Sequence, residues 1–149
     1  MAIWLALGAP GLLRGQGPHA TELGVGATVV LARRAFSGAE LGVARRPGGQ
    51  SRFALTAAGG HYEGAFGMRV EATGQFLLEP GDRRGAGPYG GLGLAFVGAD
   101  GARGASYLTA LVGVEAAPGA RGGWYVELGL GGGVRIAAGR RLRRFPSSW

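Results

Sequence analysis

The stretch TELGVGATVVLA, residues 21–32, alternates: Leu23, Val25, Ala27, Val29 and Leu31 share one face, and Glu22, Gly24, Gly26 and Thr28 share the other. In an extended chain successive side chains point to opposite sides, so this stretch reads as a β-strand whose two faces meet different environments. The pattern recurs along the chain. Ala39, Leu41 and Val43 oppose Glu40, Gly42 and Ala44; Phe53, Leu55 and Ala57 oppose Arg52, Ala54 and Thr56. Phe66, Met68 and Val70 oppose Gly67, Arg69 and Glu71, and Leu92, Leu94 and Phe96 oppose Gly91, Gly93 and Ala95. Leu108, Val112 and Val114 oppose Thr109, Gly113 and Glu115. Trp124, Val126 and Leu128 oppose Tyr125, Glu127 and Gly129, and Val134, Ile136 and Leu142 oppose Arg135, Ala137 and Arg141.

Turn chemistry separates these runs at Arg46-Pro47-Gly48-Gly49, Gly59-Gly60-His61, Glu79-Pro80-Gly81-Asp82, Ala99-Asp100-Gly101 and Pro118-Gly119-Ala120. Gly131-Gly132-Gly133 suits either a three-residue hairpin or the middle of one long strand. About eight short strands at regular spacing, with no comparable helical period after residue 20, predict an all-β, antiparallel, up-and-down barrel.

The second face decides which side is inside. A sheet surface in water favours threonine, lysine and glutamine, because glycine weakens a strand and packs nothing. Here that face is glycine and alanine, punctuated by Glu22, Glu40, Arg52, Arg69, Glu71, Glu115, Glu127 and Arg135. Small residues fit the narrow interior of an eight-stranded barrel, where interspersed glutamates and arginines pair with one another. The opposite set then faces lipid: Leu23, Val25, Leu41, Phe53, Leu55, Leu94, Phe96, Val112, Trp124, Leu128 and Ile136. Trp124, at the start of its run, suits an interfacial girdle. The alternative is a soluble, lipocalin-like barrel that turns the Leu/Val/Phe set inward around a small apolar ligand.

The 149 residues make one domain, and 33 glycines without a G-X-Y period exclude collagen. With no cysteine, disulfides, thiolate zinc sites and cysteine nucleophiles are excluded. The net charge of +7 is carried entirely by arginine, for there is no lysine. Arg33, Arg34, Arg45, Arg46, Arg83 and Arg84 read as turn residues and Arg140, Arg141, Arg143 and Arg144 as a tail, so these charges are expected at solvated strand ends. There they contact anionic lipid headgroups; nucleic acid is not an expected partner. Ala2–Leu13 is an apolar run too short to span a membrane as a helix, and it reads as the core of an export signal over residues 1–17. A buried helix is the other reading of that run. The barrel domain occupies 18–149.

With GPYGGLGLAFVG at 87–98 and GWYVELGLGGG at 123–133, the chain resembles the small OmpA/OmpX-type outer-membrane β-barrel proteins over residues 18 to 145. The resemblance implies a bacterial outer-membrane location, outer-membrane lipids and the envelope assembly machinery as partners, and a structural or accessory role without a wide channel. Gly139, Leu142 and Phe145 approximate the C-terminal signal that such machinery reads, although Phe145 is out of phase and Pro146 precedes the final Trp149. Every connection is short, which counts against a surface-binding role.

No catalytic, cofactor or metal site is expected. His19 and His61 are far apart in turn or linker positions, and a triad needs a nucleophile and an orienting acid around its histidine. Barrel enzymes that deacylate lipid A use a histidine followed two residues on by serine, and His61-Tyr62-Glu63 lacks that serine. A Walker-type phosphate loop requires a lysine, and the clusters 90–93 and 129–133 do not complete a GxGxxG.

Overall fold

The computed structural model describes residues 18–147; the expected export signal lies outside them, as does Trp149. Eight antiparallel strands follow one another: β1 (Ala20–Leu31), β2 (Phe36–Gly48), β3 (Ser51–Tyr62), β4 (Ala65–Leu77), β5 (Ala86–Ala99), β6 (Ala102–Ala116), β7 (Gly122–Leu130) and β8 (Val134–Arg144). Each pairs with its sequence neighbours, and β8 closes on β1. The strands run from nine to fifteen residues, longer than the alternating runs alone suggest. Closure pairs every strand with a neighbour on both sides, and only the upper part of β6, from Ala102 to Thr109, runs on beyond its β7 partner.

Register fixes the shape. Paired residues lead once around the wall from Thr21 through Arg45, Phe53, Gly74, Leu92, Ala110, Leu130 and Val134, and return to β1 at Leu31, a stagger of ten residues. With strands about 4.8 Å apart and a rise of about 3.3 Å per residue, that stagger tilts the strands by about 40° and gives a radius of about 8 Å. Ten residues at this tilt climb about 25 Å along the axis.

The two faces sort as the alternation requires. Leu41, Phe53, Leu92, Leu108, Val112 and Leu130 are exposed on the outer wall, Leu108 at 83%. Glu22, Glu40, Arg52, Arg135 and Glu115 are buried inside. A lipocalin-like barrel needs the apolar set inward, and this barrel has it outward. A few apolar side chains do turn in. Val30, Phe36 and Ala58 pack with Tyr62 toward the upper end, and Leu77, Tyr89 and Leu111 form a second cluster. The lower end is the one at which β1 begins and β8 ends.

Two turn expectations are corrected. Gly59-Gly60-His61 belongs to β3, and the chain reverses at Glu63-Gly64, both with positive φ (48° and 83°). Gly60 pairs with Gly38, and a β-carbon on Gly60 would strike the Ser37 carbonyl. The glycines there permit close strand approach, which sequence alone cannot distinguish from a turn. Likewise β2 runs through Gly48, past a register shift between Arg45 and Gly48, and the turn is Gly49-Gln50. At the other open point, Leu130 pairs with Val134, so Gly131–Gly133 is a three-residue hairpin.

Inner glycines make room for the large side chains they face. A methyl on Gly113 would meet the Tyr89 ring at 2.5 Å, and one on Gly26 would meet the Tyr125 hydroxyl at 2.7 Å. Gly93 is the tightest backbone case: its β-carbon would strike the Ala72 carbonyl and lie 2.8 Å from Thr73 Cα. Gly93→Leu is therefore expected to abolish the closed barrel. Gly90→Ala, whose new methyl meets nothing closer than 3.4 Å, leaves it intact. Gel mobility of boiled and unboiled samples reads both, and a normally folded Gly93→Leu protein contradicts the inward assignment.

Candidate functional site

The interior is a lattice of glutamates and arginines. Alternation aims them: along β2, Glu40, Gly42, Ala44 and Arg46 share the inner face, and along β8 Arg135, Ala137, Gly139, Arg141 and Arg143 do so. Glu115 on β6 is the hub. Its Oε2 accepts from Arg52 Nη1 at 2.9 Å, Arg141 Nη1 at 2.8 Å and Arg143 Nη2 at 2.8 Å, and its Oε1 accepts from Arg46 Nη2 at 3.1 Å. Glu22 on β1 shares three of these partners, through Arg46 Nε, Arg52 Nη1 and, at 3.7 Å, Arg143 Nε.

Arg141 carries the lattice upward. Its Nη2 donates to Glu127 Oε1 at 2.7 Å, and Glu127 Oε2 accepts from Arg135 Nη1 at 2.8 Å. Arg135 Nη2 then reaches Glu40 Oε2 at 2.6 Å, past β1 on β2. Tyr89 donates to Glu127 and Tyr125 to Glu40, at 2.7 and 2.9 Å. The Arg141 guanidinium lies 5.0 Å from the Tyr89 ring centre and 4.3 Å from that of Tyr125, and Arg52 lies 4.4 Å from Tyr89. These contacts add cation–π attraction to the ion pairs. Arg69 pairs with Glu71 at 2.7 Å near the upper end and donates to the Gly131 carbonyl at 3.0 Å.

Arginines also seal the lower end. Arg46 Nη1 donates to the carbonyls of Pro80 and Pro118, at 3.1 and 2.9 Å, and Arg143 Nη1 donates to those of Ala117 and Ala120, both at 3.2 Å. The β4–β5 and β6–β7 connections are thereby tied to the lattice. A cavity of about 30 Å³ remains between Gly24, Gly42, Ala54, Thr56 and the carboxylates of Glu40 and Glu71. That is room for water, far from a channel.

The eight glutamates and arginines expected inside all lie in the interior, in contact with one another as described. The eleven residues expected on the apolar face all lie on the outer wall. The arginines divide differently from the expectation of solvated ends. Arg46, assigned to a turn, and Arg141 and Arg143, assigned to a tail, are buried members of the lattice. Continuing each alternation by one or two residues finds them: Arg46 is in phase with Glu40, and Arg141 and Arg143 are in phase with Arg135. The same rule finds Tyr89, in phase with Gly91 and Gly93, and Gln75, in phase with Arg69 and Glu71. His61 sits at the upper end of β3, exposed, where its Nε2 accepts from Gly64 N.

A closed, eight-stranded, antiparallel barrel with a buried charge lattice and an apolar outer wall defines the class: it has the fold of the small outer-membrane barrels. No family model matches the sequence, and no curated protein matches it. Among solved structures, it is similar to the N-terminal β-barrel domain of Pseudomonas aeruginosa OprF, with a TM-score of 0.72 at 15% identity over 87% of this chain and 100% of that one. It is also similar to the outer membrane protein OprG from Pseudomonas aeruginosa, with a TM-score of 0.64 at 11% identity, covering 87% and 97% of the two chains. Neisserial surface protein A is a third, with a TM-score of 0.53 at 17% identity over 85% and 96%.

Removing the hub leaves buried guanidinium groups without their shared anion. Glu115→Gln, which keeps the shape and removes the charge, is expected to cost about 3–5 kcal/mol. Arg34→Gln, which breaks the exposed 3.4 Å pair with Glu63, is expected to cost under about 1 kcal/mol. Urea unfolding of the two variants in detergent micelles measures the contrast, and equal midpoints count against a central role for Glu115.

Proposed function

We propose that this chain is an integral bacterial outer-membrane barrel with a structural or accessory, non-enzymatic role in the envelope. The observation that carries this reading is the inside-out distribution: large apolar side chains exposed all round the wall, and a lattice of buried ion pairs within it. An apolar band about 25 Å tall is the height that lipid-facing barrel surfaces require. Aromatic residues stand toward both ends of that band: Phe53, Phe76 and Trp124 at the lower ends of β3, β4 and β7, with Phe66 and Phe96 toward the upper end. Aromatic belts of this kind favour the two membrane interfaces. Likeness of fold to three outer-membrane barrels supports the same location.

The interior is read as a plug. Arg52, Arg141, Tyr89 and Tyr125 cross its lower and middle levels, and the connections held by Arg46 and Arg143 cover its lower end. In planar bilayers the protein is expected to show no conductance steps of porin size.

Fractionation tests the location. A carbonate-resistant outer-membrane band that shifts in mobility on boiling is expected, whereas a soluble protein with no shift overturns the reading. Leu94→Arg places a charge at the middle of the band and should destabilise the inserted barrel by about 2–4 kcal/mol. The same substitution leaves a water-exposed wall unaffected.

A further inference from the structure

A second set of arginines lies outside the lattice, on the outer wall of the lower end. Thr21 on β1 pairs with Arg45 on β2 and with Arg144 on β8, so one row across three strands reads Arg45, Thr21, Arg144. Strand spacing sets the two arginine Cα atoms about 10 Å apart, with the threonine between them. All three side chains are exposed. Among the described residues, neither arginine forms an ion pair, in contrast to every arginine of the lattice. Two like charges on one sheet face are unfavourable until an anion stands between them.

The same three residues line a depression of about 260 Å³ at the rim, beside His19 and Phe145. A second depression, of about 370 Å³, also contains Thr21 and Arg45 and continues up the wall over Val43, Phe53 and Leu55. One end is cationic with a hydroxyl, and the other is apolar and belongs to the exposed wall. The rim as a whole leans the same way. Among the described residues, the lower end carries Arg45, Arg83, Arg84, Arg121, Arg140 and Arg144 against the acids Glu79 and Asp82. At the upper end Arg33, Arg34 and Arg103 face Glu63 and Asp100.

We propose that Arg45, Thr21 and Arg144 bind the phosphate of a membrane phospholipid whose acyl chain lies along Val43, Phe53 and Leu55. The proposal rests on the membrane reading above and adds a specific site to it. Two guanidinium groups supply charge-assisted hydrogen bonds to phosphate oxygens, and the Thr21 hydroxyl donates a third from between them. The chain's position follows from the wall, because the apolar depression opens directly above the row.

The test uses the full chain, folded in detergent, with phosphatidylglycerol as the probe and native mass spectrometry as the readout. The parent is expected to retain bound lipid. Arg45→Gln with Arg144→Gln should weaken retention by about tenfold or more, and Thr21→Val, which removes only the hydroxyl, by about threefold. Arg33→Gln with Arg103→Gln, at the upper end, should leave retention unchanged. Gel mobility confirms that each variant is a closed barrel. Parent-like lipid retention in the folded Arg45/Arg144 variant overturns the site. So does complete displacement of lipid by millimolar inorganic phosphate, which assigns the row to a free anion. A parent chain that fractionates as a soluble protein overturns the membrane reading and the site with it, so the two failures are distinguishable.

Discussion

A carboxylate withdrawn from water inside a wall about 8 Å in radius is tolerable only while cations stand against it. Glu115 meets that condition with four guanidinium groups drawn from β2, β3 and β8. Those arginines are buried with the carboxylate, so each depends on its partners in turn. Loss of one member therefore exposes charges on strands that are not neighbours. The lattice ties opposite sides of the barrel together in a way that ladder hydrogen bonds, which join only adjacent strands, do not.

Long side chains in a narrow tube force the rest of the inner wall to be small. Tyr89 lies against Gly113, and Tyr125 against Gly26 and Gly139; Arg143 approaches Gly123 and Arg69 approaches Gly131. The glycine content that looks extravagant in composition is the complement of the arginine and tyrosine content. Each large side chain takes space that a neighbouring strand gives up. Glycine in a strand is ordinarily unfavourable, and here the loss is offset by ion pairs, cation–π contacts and hydrogen bonds formed in that space.

Strand number, barrel closure and the direction of each face were legible because a period of two is a geometric property of the extended chain, independent of what the faces meet. Composition of the second face then separated inside from outside: Gly24, Gly26, Gly91 and Gly93 are poor residues for a wetted sheet. What stayed hidden was where alternation stops. Arg46 precedes Pro47-Gly48-Gly49 and looks like a turn, yet β2 continues through it. Arg141 and Arg143 lie in an arginine-rich run that looks like a tail, yet the intervening Leu142 keeps the strand phase. Gly59-Gly60 raised the opposite difficulty, since glycine serves a reversal and a close approach of strands equally well. Pairing partners were also beyond reach of the sequence, because contact between Glu40 and Arg135 depends on the ten-residue stagger of the whole barrel.

That stagger is itself protected by the charges. In a soluble barrel a one-residue slip of a strand exchanges core and surface and is penalised mainly by lost burial. In the membrane reading the same slip of β8 would carry Arg135, Arg141 and Arg143 into the hydrocarbon and drive Ile136 and Leu142 into a lattice of carboxylates. Both faces then oppose the error: one by the cost of charge in lipid, the other by stranding Glu115, Glu127 and Glu40 without cations. A slip by two residues preserves the faces but separates Arg141 from both Glu115 and Glu127. The ion pairs therefore discriminate where alternation is silent, and a buried charge network, a weak source of net stability, becomes a strong source of register.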